Sequence, residues 1–329
     1  MPIAPAAPST PTLLSPRHWL AIVLGFAALA LAVMAWRWGG TVEDSLAYFN
    51  TARYLRGELP FNELRAPFPY RILVPALAAA LPGELHNAFA ALNWLLISGA
   101  AAVIALTAAR LGFSRGRVVG AGLLLIVSVP TFWYAPYLLV DPGSIFARAV
   151  FVLGILTGQP WLAAAAGIVG TAAREENILL LVWLLAMRRL PFAAALGALA
   201  LAGGWIVAVR WWLLPGLPSY TWTPSLQTLL AALGDYRSLA SLATAALLVV
   251  PLAVLGRRHA AAALRPLDSL LLLMILPPLY AALSVRIDGR IIWSLYPMLI
   301  PLALCVGLPR AARSAAPAAP AEQPGAARA

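Results

Sequence analysis

The sequence has few of the residues that crosslink extracellular domains or bind metals. Cys305 is the only cysteine in 329 residues, so no disulfide can form within the chain. The three histidines, His18, His86 and His259, lie in distant segments without ligand spacing, which argues against a structural zinc site. There is no Walker loop, no dinucleotide-binding glycine motif and no serine–histidine–aspartate arrangement. These absences argue against ATP-driven, redox and ordinary hydrolase functions.

Charged residues are also scarce, at 11% of the chain, and lysine is absent, so all 23 basic side chains are arginine. Hydrophobic residues make up 62%, mean hydropathy is +0.85, and apolar runs approach the ~20 residues that cross ~30 Å of hydrocarbon. This composition predicts an all-α, polytopic membrane helix bundle. We predict about ten transmembrane segments, at residues 19–36, 87–109, 118–136, 145–158, 160–173, 176–187, 190–209, 238–256, 267–284 and 291–308. The segments at 145–158, 160–173 and 176–187 are too short to cross the membrane alone, so they must be buried in the bundle or end at a water-filled cavity.

Arginines in short loops predict the orientation, because translocation of a basic loop is disfavoured. Alternate loops are basic, and their arginines are Arg17, Arg110, Arg115, Arg117, Arg188, Arg189, Arg257, Arg258, Arg265, Arg310 and Arg313. This pattern places both termini in the cytoplasm. We expect residues 1–18 and 310–329, rich in proline and alanine, to be disordered, and residues 19–309 to form the membrane domain. Of the 12 acidic residues, all but Asp268 and Glu322 then lie outside.

The largest outer segment is the loop at residues 37–86. Residues 43–56 are predicted to form an amphipathic helix on the membrane surface, with Glu43 and Asp44 in the first turn, where the helix dipole favours anions. The predicted cap and terminator of this helix are Thr41 and Gly57. After it, we expect an extended stretch at Pro67 and Pro69 and a second, short apolar helix at residues 71–81.

Four short motifs resemble bacterial membrane glycosyltransferases of the GT-C fold. They are the acidic first loop followed by Tyr48, Ala52 and Gly57, the segment PFPYRILVPAL at 67–77, the segment AAREENILL at 172–180, and RIDGRIIWSLYPMLIPL at 286–302. The resemblance implies transfer of a sugar from a polyprenyl phosphate or diphosphate to a glycan, lipid or protein acceptor. It also implies a catalytic carboxylate in the first loop, at the outer face of the bacterial inner membrane.

The candidate catalytic residues are Asp44 and Glu43. Because adjacent residues on a helix diverge by ~100°, we expect only one of them to face a site. Asp44 is preferred, since Tyr48 and Leu55 lie on its side of the helix. A carboxylate there would accept the proton of the attacking hydroxyl and stabilise an oxocarbenium-like transition state. The alternative is that both acids only begin a helix at its positive end.

Candidate ligands of the donor phosphate on the outer side are three arginines and Tyr70. Arg71, which follows Tyr70, is placed to bind a lipid-linked phosphate or to extend its side chain to lipid headgroups. Arg286 and Arg290 flank Asp288 in the last outer loop, against the positive-inside bias, which predicts an anionic partner. That partner is a donor phosphate, an acid of the first loop, or Asp288 itself.

The segment TAAREEN places Arg174, Glu175 and Glu176 between apolar pieces, where each lipid-exposed charge costs ~2.5–3.5 kcal/mol near the bilayer centre. Their net charge of minus one predicts a further partner. They form either the floor of a substrate cavity, with Arg174 or Glu175 on the substrate, or an internal cluster that joins short helices. Asp141, before Pro-Gly, is either a further substrate contact or a turn signal.

The third outer segment is rich in aromatic residues, which are Trp211, Trp212, Tyr220 and Trp222. They predict an interfacial aromatic belt or a lid over the donor. Two other functions remain open: a lipid or solute carrier that uses Arg174, Glu175 and Glu176 as ion or substrate sites, and a scaffold subunit of an envelope assembly machine. Membrane lipids are expected partners and nucleic acids are not. No cofactor is assigned, and the use of a divalent metal is left open.

Overall fold

The computed structural model describes residues 15–220 and 223–308, and every regular element in these ranges is helical, as predicted. In chain order the helices are α1 (Pro16–Ala35), α2 (Asp44–Leu55), α3 (Leu73–Ala80), α4 (Leu85–Arg110), α5 (Arg115–Ile126), α6 (Val129–Tyr134), α7 (Asp141–Leu156), α8 (Pro160–Ala173), α9 (Ile178–Ala186), α10 (Phe192–Ala208), α11 (Leu226–Gly234), α12 (Tyr236–Ala246), α13 (Val249–Arg257), α14 (Pro266–Met274), α15 (Leu276–Ser284), α16 (Arg290–Trp293) and α17 (Tyr296–Ala303). Single 3-10 and π-helical turns join some of them.

Several helical segments are long and apolar enough to cross a membrane. Among the described residues there are four, or five if α12 and α13, a pair of helices bent by 47°, form one span. The four are Pro16–Ala35, Leu85–Arg110, Phe192–Leu213 and Ala262–Ser284. The predicted count of about ten is therefore not confirmed.

Short, buried helices explain the difference between the two counts. The predicted span 118–136 is two helices, α5 and α6, separated near Ser128 and Pro130. Helices α7, α8 and α9 contain 16, 14 and 9 residues, so at ~1.5 Å per residue each is shorter than the hydrocarbon layer. Because an apolar helix inside a bundle has the same composition as one in lipid, hydropathy alone does not separate them.

The interior of the bundle is built around α7, which packs against α4 and α8 and is buried along most of its length. Helix α1 packs on α4, and the indole of Trp94 donates a hydrogen bond to the Ala27 carbonyl at 2.7 Å. The ring of Phe26 occupies the space beside Gly122, where a Cβ would lie 2.2 Å from it. A side chain at position 122 would therefore separate α1 from α5.

The predicted helix of the first loop is α2, and it starts differently from the prediction. Glu43 precedes the helix with φ +46° and makes no side-chain cap, and Thr41 does not cap it either. Instead, the hydroxyl of Ser45 accepts a hydrogen bond from the Val42 amide at 2.6 Å. Since Glu43 lies outside the helix, the expected 100° divergence from Asp44 does not apply. The end is as predicted, with Gly57 at φ +74°.

The rest of the first loop packs against one face of α2. The buried residues of α2 are Ser45, Tyr48, Thr51 and Ala52, whereas Leu46 and Leu55 are exposed. This face contacts α3 and a 3-10 turn at Phe68–Tyr70. The predicted extended stretch at Pro67 and Pro69 is therefore this turn, and Arg71 comes before α3 instead of inside it.

The two predicted disordered ends fall mostly outside the described residues. The exception is residues 16–18, which are helical and not disordered. Helix α1 begins at Pro16, and the side chain of Ser15 accepts a hydrogen bond from the His18 amide. Proline is favoured at the first helical position because its missing N–H has no partner there anyway. Trp222 also lies outside the described residues.

Single-cysteine labelling tests the orientation that the arginine loops predict. Gly116 and Ala261 lie near basic loops and are exposed, as are Glu58 and Ser219 near acidic and aromatic loops. In intact cells, Gly116→Cys and Ala261→Cys should be protected from an impermeant thiol reagent, and Glu58→Cys and Ser219→Cys should react. The native Cys305 is buried, so the unsubstituted protein is the blank. Labelling of Gly116→Cys with no labelling of Ser219→Cys would show that the orientation is opposite to the predicted one.

Candidate functional site

Two segments that are far apart in sequence meet beside the first turn of α2. One is the start of α2 and the other is the loop between α15 and α16. Together they contribute five charged side chains that we call the charged wall, namely Glu43, Asp44, Arg286, Asp288 and Arg290. All five line both a large cavity of about 810 Å³ and a small cavity of about 250 Å³. The candidate catalytic residues therefore lie where two cavities adjoin.

Ion pairs hold the charged wall together. The Arg290 guanidinium donates to Asp44 Oδ2 at 2.9 Å and to Asp288 Oδ2 at 3.0 Å. Arg286 binds Glu43 Oε2 at 2.7 Å and lies 3.4 Å from Asp288 Oδ2. The prediction of an anionic partner for these arginines is confirmed, and the partners are the first-loop acids and Asp288. Both guanidiniums are thus already compensated by carboxylates.

The two first-loop acids differ in exposure. The side chain of Glu43 is 62% exposed, and that of Asp44 is 30% exposed. Arg290 binds only Oδ2 of Asp44, and no described residue donates a hydrogen bond to Oδ1. Asp44 therefore has one carboxylate oxygen held in place and one that is available to a ligand.

The small cavity combines guanidinium groups with an apolar surface. Its cationic residues outside the wall are Arg71 and Arg174, and its acids there are Asp141 and Glu176. Apolar and aromatic lining comes from the first loop and from α15, in particular Tyr48, Phe68, Pro277, Pro278 and Ala281. A site of this composition offers hydrogen-bond donors for an anionic group next to an apolar surface.

Arg71 differs from the other arginines of the small cavity because no described carboxylate pairs with it. Its guanidinium donates to the Tyr48 hydroxyl at 2.5 Å, and its Nε is buried without a hydrogen-bond partner. Burial raises the pKa of Tyr48, so the phenol stays neutral and does not compensate the charge of Arg71. Arg71 thus provides a guanidinium that has no direct ion pair with a described carboxylate, although Glu176 and Glu175 lie near enough to raise its pKa.

The charges of the TAAREEN segment are paired with residues from other helices. Arg174 binds Asp141 and, at 3.1 Å, Glu176 Oε2. Glu176 Oε1 also accepts from Arg148 at 2.6 Å, and Glu175 accepts from Arg210 at 2.5 Å. The predicted need for a further partner is therefore met by Arg148 and Arg210.

Two predicted site residues lie outside the lining of both cavities. Glu175 turns away because Glu175–Asn177 form a 3-10 turn, in which successive residues point ~120° apart, and Glu176 faces the small cavity instead. Tyr70 also points elsewhere, and the Arg210 guanidinium lies 5.1 Å from its ring centroid. Asp141, considered a turn signal or a substrate contact, is buried at the first position of α7 and lines the small cavity.

Apart from the charged wall, the large cavity is formed by residues that the sequence did not indicate. It lies between α6 and α12, and its aromatic and hydroxyl lining is Trp133, Tyr134, Tyr137, Tyr236, Ser238, Ser241 and Thr244. Ser241 joins the two sides, since its Oγ lies 2.8 Å from the Tyr134 hydroxyl and accepts from the Gly289 amide at 2.9 Å. The only sequence signal was the polar start of α12, DYRS, between apolar segments.

The aromatic outer segment contributes little to either cavity. Trp211 and Trp212 are exposed and line neither, in agreement with an interfacial belt. The ring of Tyr220 lies 6.3 Å from that of Phe68, at the edge of the small cavity. Within residues 15–220 and 223–308, no group of three His, Cys, Asp or Glu side chains is arranged to hold a metal ion.

Comparisons with protein-family models, with curated proteins and with solved structures found no match to this chain. A functional assignment therefore depends on the residues and geometry of the two cavities.

The two neighbouring glutamates provide a matched test of this charge network. Glu176→Gln removes the partner of Arg148, whose side chain is fully buried, and breaking a buried pair in this way costs ~3–5 kcal/mol. Glu175→Gln removes the partner of the half-exposed Arg210 and should cost less than ~1 kcal/mol. Denaturant or thermal unfolding of the purified variants in detergent measures both. Equal losses of stability would contradict this network.

Proposed function

We propose that this chain is a membrane glycosyltransferase that moves a sugar from a polyprenyl-phosphate donor to a glycan, lipid or protein acceptor at the outer face of the bacterial inner membrane. The observation that carries the proposal is the position of Asp44 in the charged wall, where it lines both cavities. Group transfer requires two substrates to meet at one base, and this arrangement offers each substrate its own cavity.

The small cavity suits the donor. The guanidinium of Arg71, which has no direct ion pair, can form charge-assisted hydrogen bonds to a phosphate, and Arg174 lines the same space. Pro277, Pro278 and Ala281 of α15 give an apolar surface for the prenyl chain. Helix α15 also exposes Leu276 and Leu279 and lies within an apolar segment long enough to span a membrane, which gives the chain a route to lipid.

The large cavity suits a hydroxyl-bearing acceptor. Its aromatic rings offer flat faces for sugar rings, and its serine and threonine hydroxyls and the Asp235 and Arg237 side chains offer hydrogen bonds. A volume of about 810 Å³ is within the range of pockets that hold a ligand of drug size. The acceptor hydroxyl would reach Asp44 from this side.

In the proposed reaction, Asp44 accepts the proton of the acceptor hydroxyl as its oxygen attacks the anomeric carbon. The bond between that carbon and the phosphate oxygen breaks on the opposite face, so the configuration inverts and polyprenyl phosphate leaves with the bonding electrons. Arg71 and Arg174 stabilise the charge that grows on the leaving phosphate. Arg290 fixes the orientation of the Asp44 carboxylate through Oδ2.

Substitution of the proposed base tests this mechanism. Asp44→Asn keeps the size of the side chain but removes the proton acceptor, so release of polyprenyl phosphate from a labelled polyprenyl-phosphate sugar should fall ~10²–10⁴-fold. Donor affinity should change little, because the loss lies in the transition state. Glu43→Gln, at the exposed neighbouring position, is the matched control and should retain most of the rate.

Three results would contradict the proposal in different ways. An inactive Glu43→Gln with an active Asp44→Asn would move the base to Glu43. Activity in both variants would show that the first loop does not supply the catalytic base, as expected for a scaffold subunit. A wild-type protein that binds the labelled donor and leaves it intact would be a carrier.

A further inference from the structure

Arg148, on α7, is a buried cation that lines neither cavity. Its side chain is fully buried, yet each of its guanidinium nitrogens has a partner. Nε donates to Asn177 Oδ1 at 2.7 Å, Nη1 to the Ser294 carbonyl at 2.9 Å and Nη2 to Glu176 Oε1 at 2.6 Å. Burial of a charge is costly, so a group held in this way must be compensated by all three bonds together.

The bonds from Arg148 to Asn177 and Glu176 connect it to Arg174. Glu176 uses one carboxylate oxygen for Arg148 and the other for Arg174, and Arg174 lines the small cavity. Asn177 is held in turn, because its Nδ2 donates to Ser144 Oγ at 2.8 Å and to the Gly170 carbonyl at 2.9 Å. Arg148 therefore fixes both the turn that bears Glu176 and the carboxylate that orients Arg174.

The bond from Arg148 to the Ser294 carbonyl connects it to Arg290. Ser294 follows the last residue of α16, so its carbonyl is one of the groups at a helix end that lack an intrahelical partner. By binding this carbonyl, Arg148 fixes the end of the four-residue helix whose first residue is Arg290. Arg290 is the residue that holds Asp44.

We infer that Arg148 is a positioning residue, which sets the spacing of Arg174 and Arg290 across the small cavity and so presents a preformed site to the donor phosphate. The inference rests on the proposed function for the identity of the ligand. Lysine does not replace arginine here, because a single ammonium lacks the planar fork that reaches three acceptors in fixed directions.

The test is a double-mutant cycle on binding of polyprenyl phosphate, the reaction product, to the purified protein in nanodiscs. Arg148→Lys should weaken binding about tenfold, which corresponds to ~1.4 kcal/mol. Arg148→Lys combined with Arg174→Gln should weaken binding by less than the product of the two single effects, because one of the two routes by which Arg148 acts is through Arg174. With Arg71→Gln the effects should be closer to multiplicative, since Arg71 has no hydrogen bond to Arg148, Arg174 or Glu176 and interacts with Glu176 only through its charge.

A second variant covers the case in which Arg148→Lys does not fold. Glu176→Asp keeps the charge but shortens the link between Arg148 and Arg174, and it should weaken binding in the same coupled way. Loss of stability with unchanged affinity for polyprenyl phosphate, or multiplicative effects in both cycles, would overturn the inference and leave Arg148 as a structural residue. Absence of any binding to the wild-type protein would also overturn it.

Because binding of the product needs no turnover, failure of this inference is distinct from failure of the proposed function. A wild-type protein that binds polyprenyl phosphate but does not release it from the labelled donor would contradict the glycosyltransferase and still allow the cycle to be measured.

Discussion

The ion pair between Asp44 and Arg290 joins residues 246 positions apart, and the rest of the site depends on it. It brings the first turn of α2 onto the loop before α16, near opposite ends of the chain. With the pair between Glu43 and Arg286, it joins the first-loop half of the charged wall to the last-loop half. In an otherwise apolar protein, charges that lose their partners carry a large desolvation cost, so these pairs also determine where the two segments meet.

The same requirement for compensation gives the small cavity its chemical character. Arg174, Arg286 and Arg290 each bind carboxylates, whereas Arg71 binds only the neutral hydroxyl of Tyr48. A cavity whose charges were all paired would offer little to an anion. The guanidinium of Arg71 has no direct ion pair and lies in the same cavity as the apolar residues of α15, which is consistent with the proposed ligand, one that is both anionic and lipidic. This combination is what supports a polyprenyl phosphate as the proposed donor.

Sequence reasoning predicted what depends on local composition. Apolar runs indicated an all-helical protein, Gly57 indicated the end of α2, and the two arginines that flank Asp288 indicated an anionic partner. Sequence reasoning did not predict the positive φ angle of Glu43, which precedes α2 beside a hydrogen bond between the Val42 amide and the Ser45 hydroxyl. The predicted number of spans is not confirmed, since short buried helices such as α7 and α9 have the same apolar composition as helices that face lipid.

The missed site residues have a common cause, which is distance along the chain. Arg148 lies 28 residues before Glu176 and 146 before Ser294, and nothing near it in the sequence suggests a partner. The hydroxyls of α12 that line the large cavity carry no signal of a site in the sequence alone. They gain significance only because Ser241 contacts Tyr134 and Gly289 next to the charged wall.

The central claim is that two substrates reach Asp44 from separate cavities, and selective filling of each cavity tests it most directly. Ala281 lines the small cavity and Ala240 the large one, while the exposed Ala243 of α12 lines neither and serves as control. Transfer of labelled sugar to acceptors in native membranes and binding of polyprenyl phosphate are measured for a tryptophan at each position. The account predicts that Ala281→Trp loses binding and transfer, that Ala240→Trp loses transfer but keeps binding, and that Ala243→Trp keeps both. Loss of polyprenyl-phosphate binding in Ala240→Trp, or normal transfer in Ala281→Trp, would contradict it.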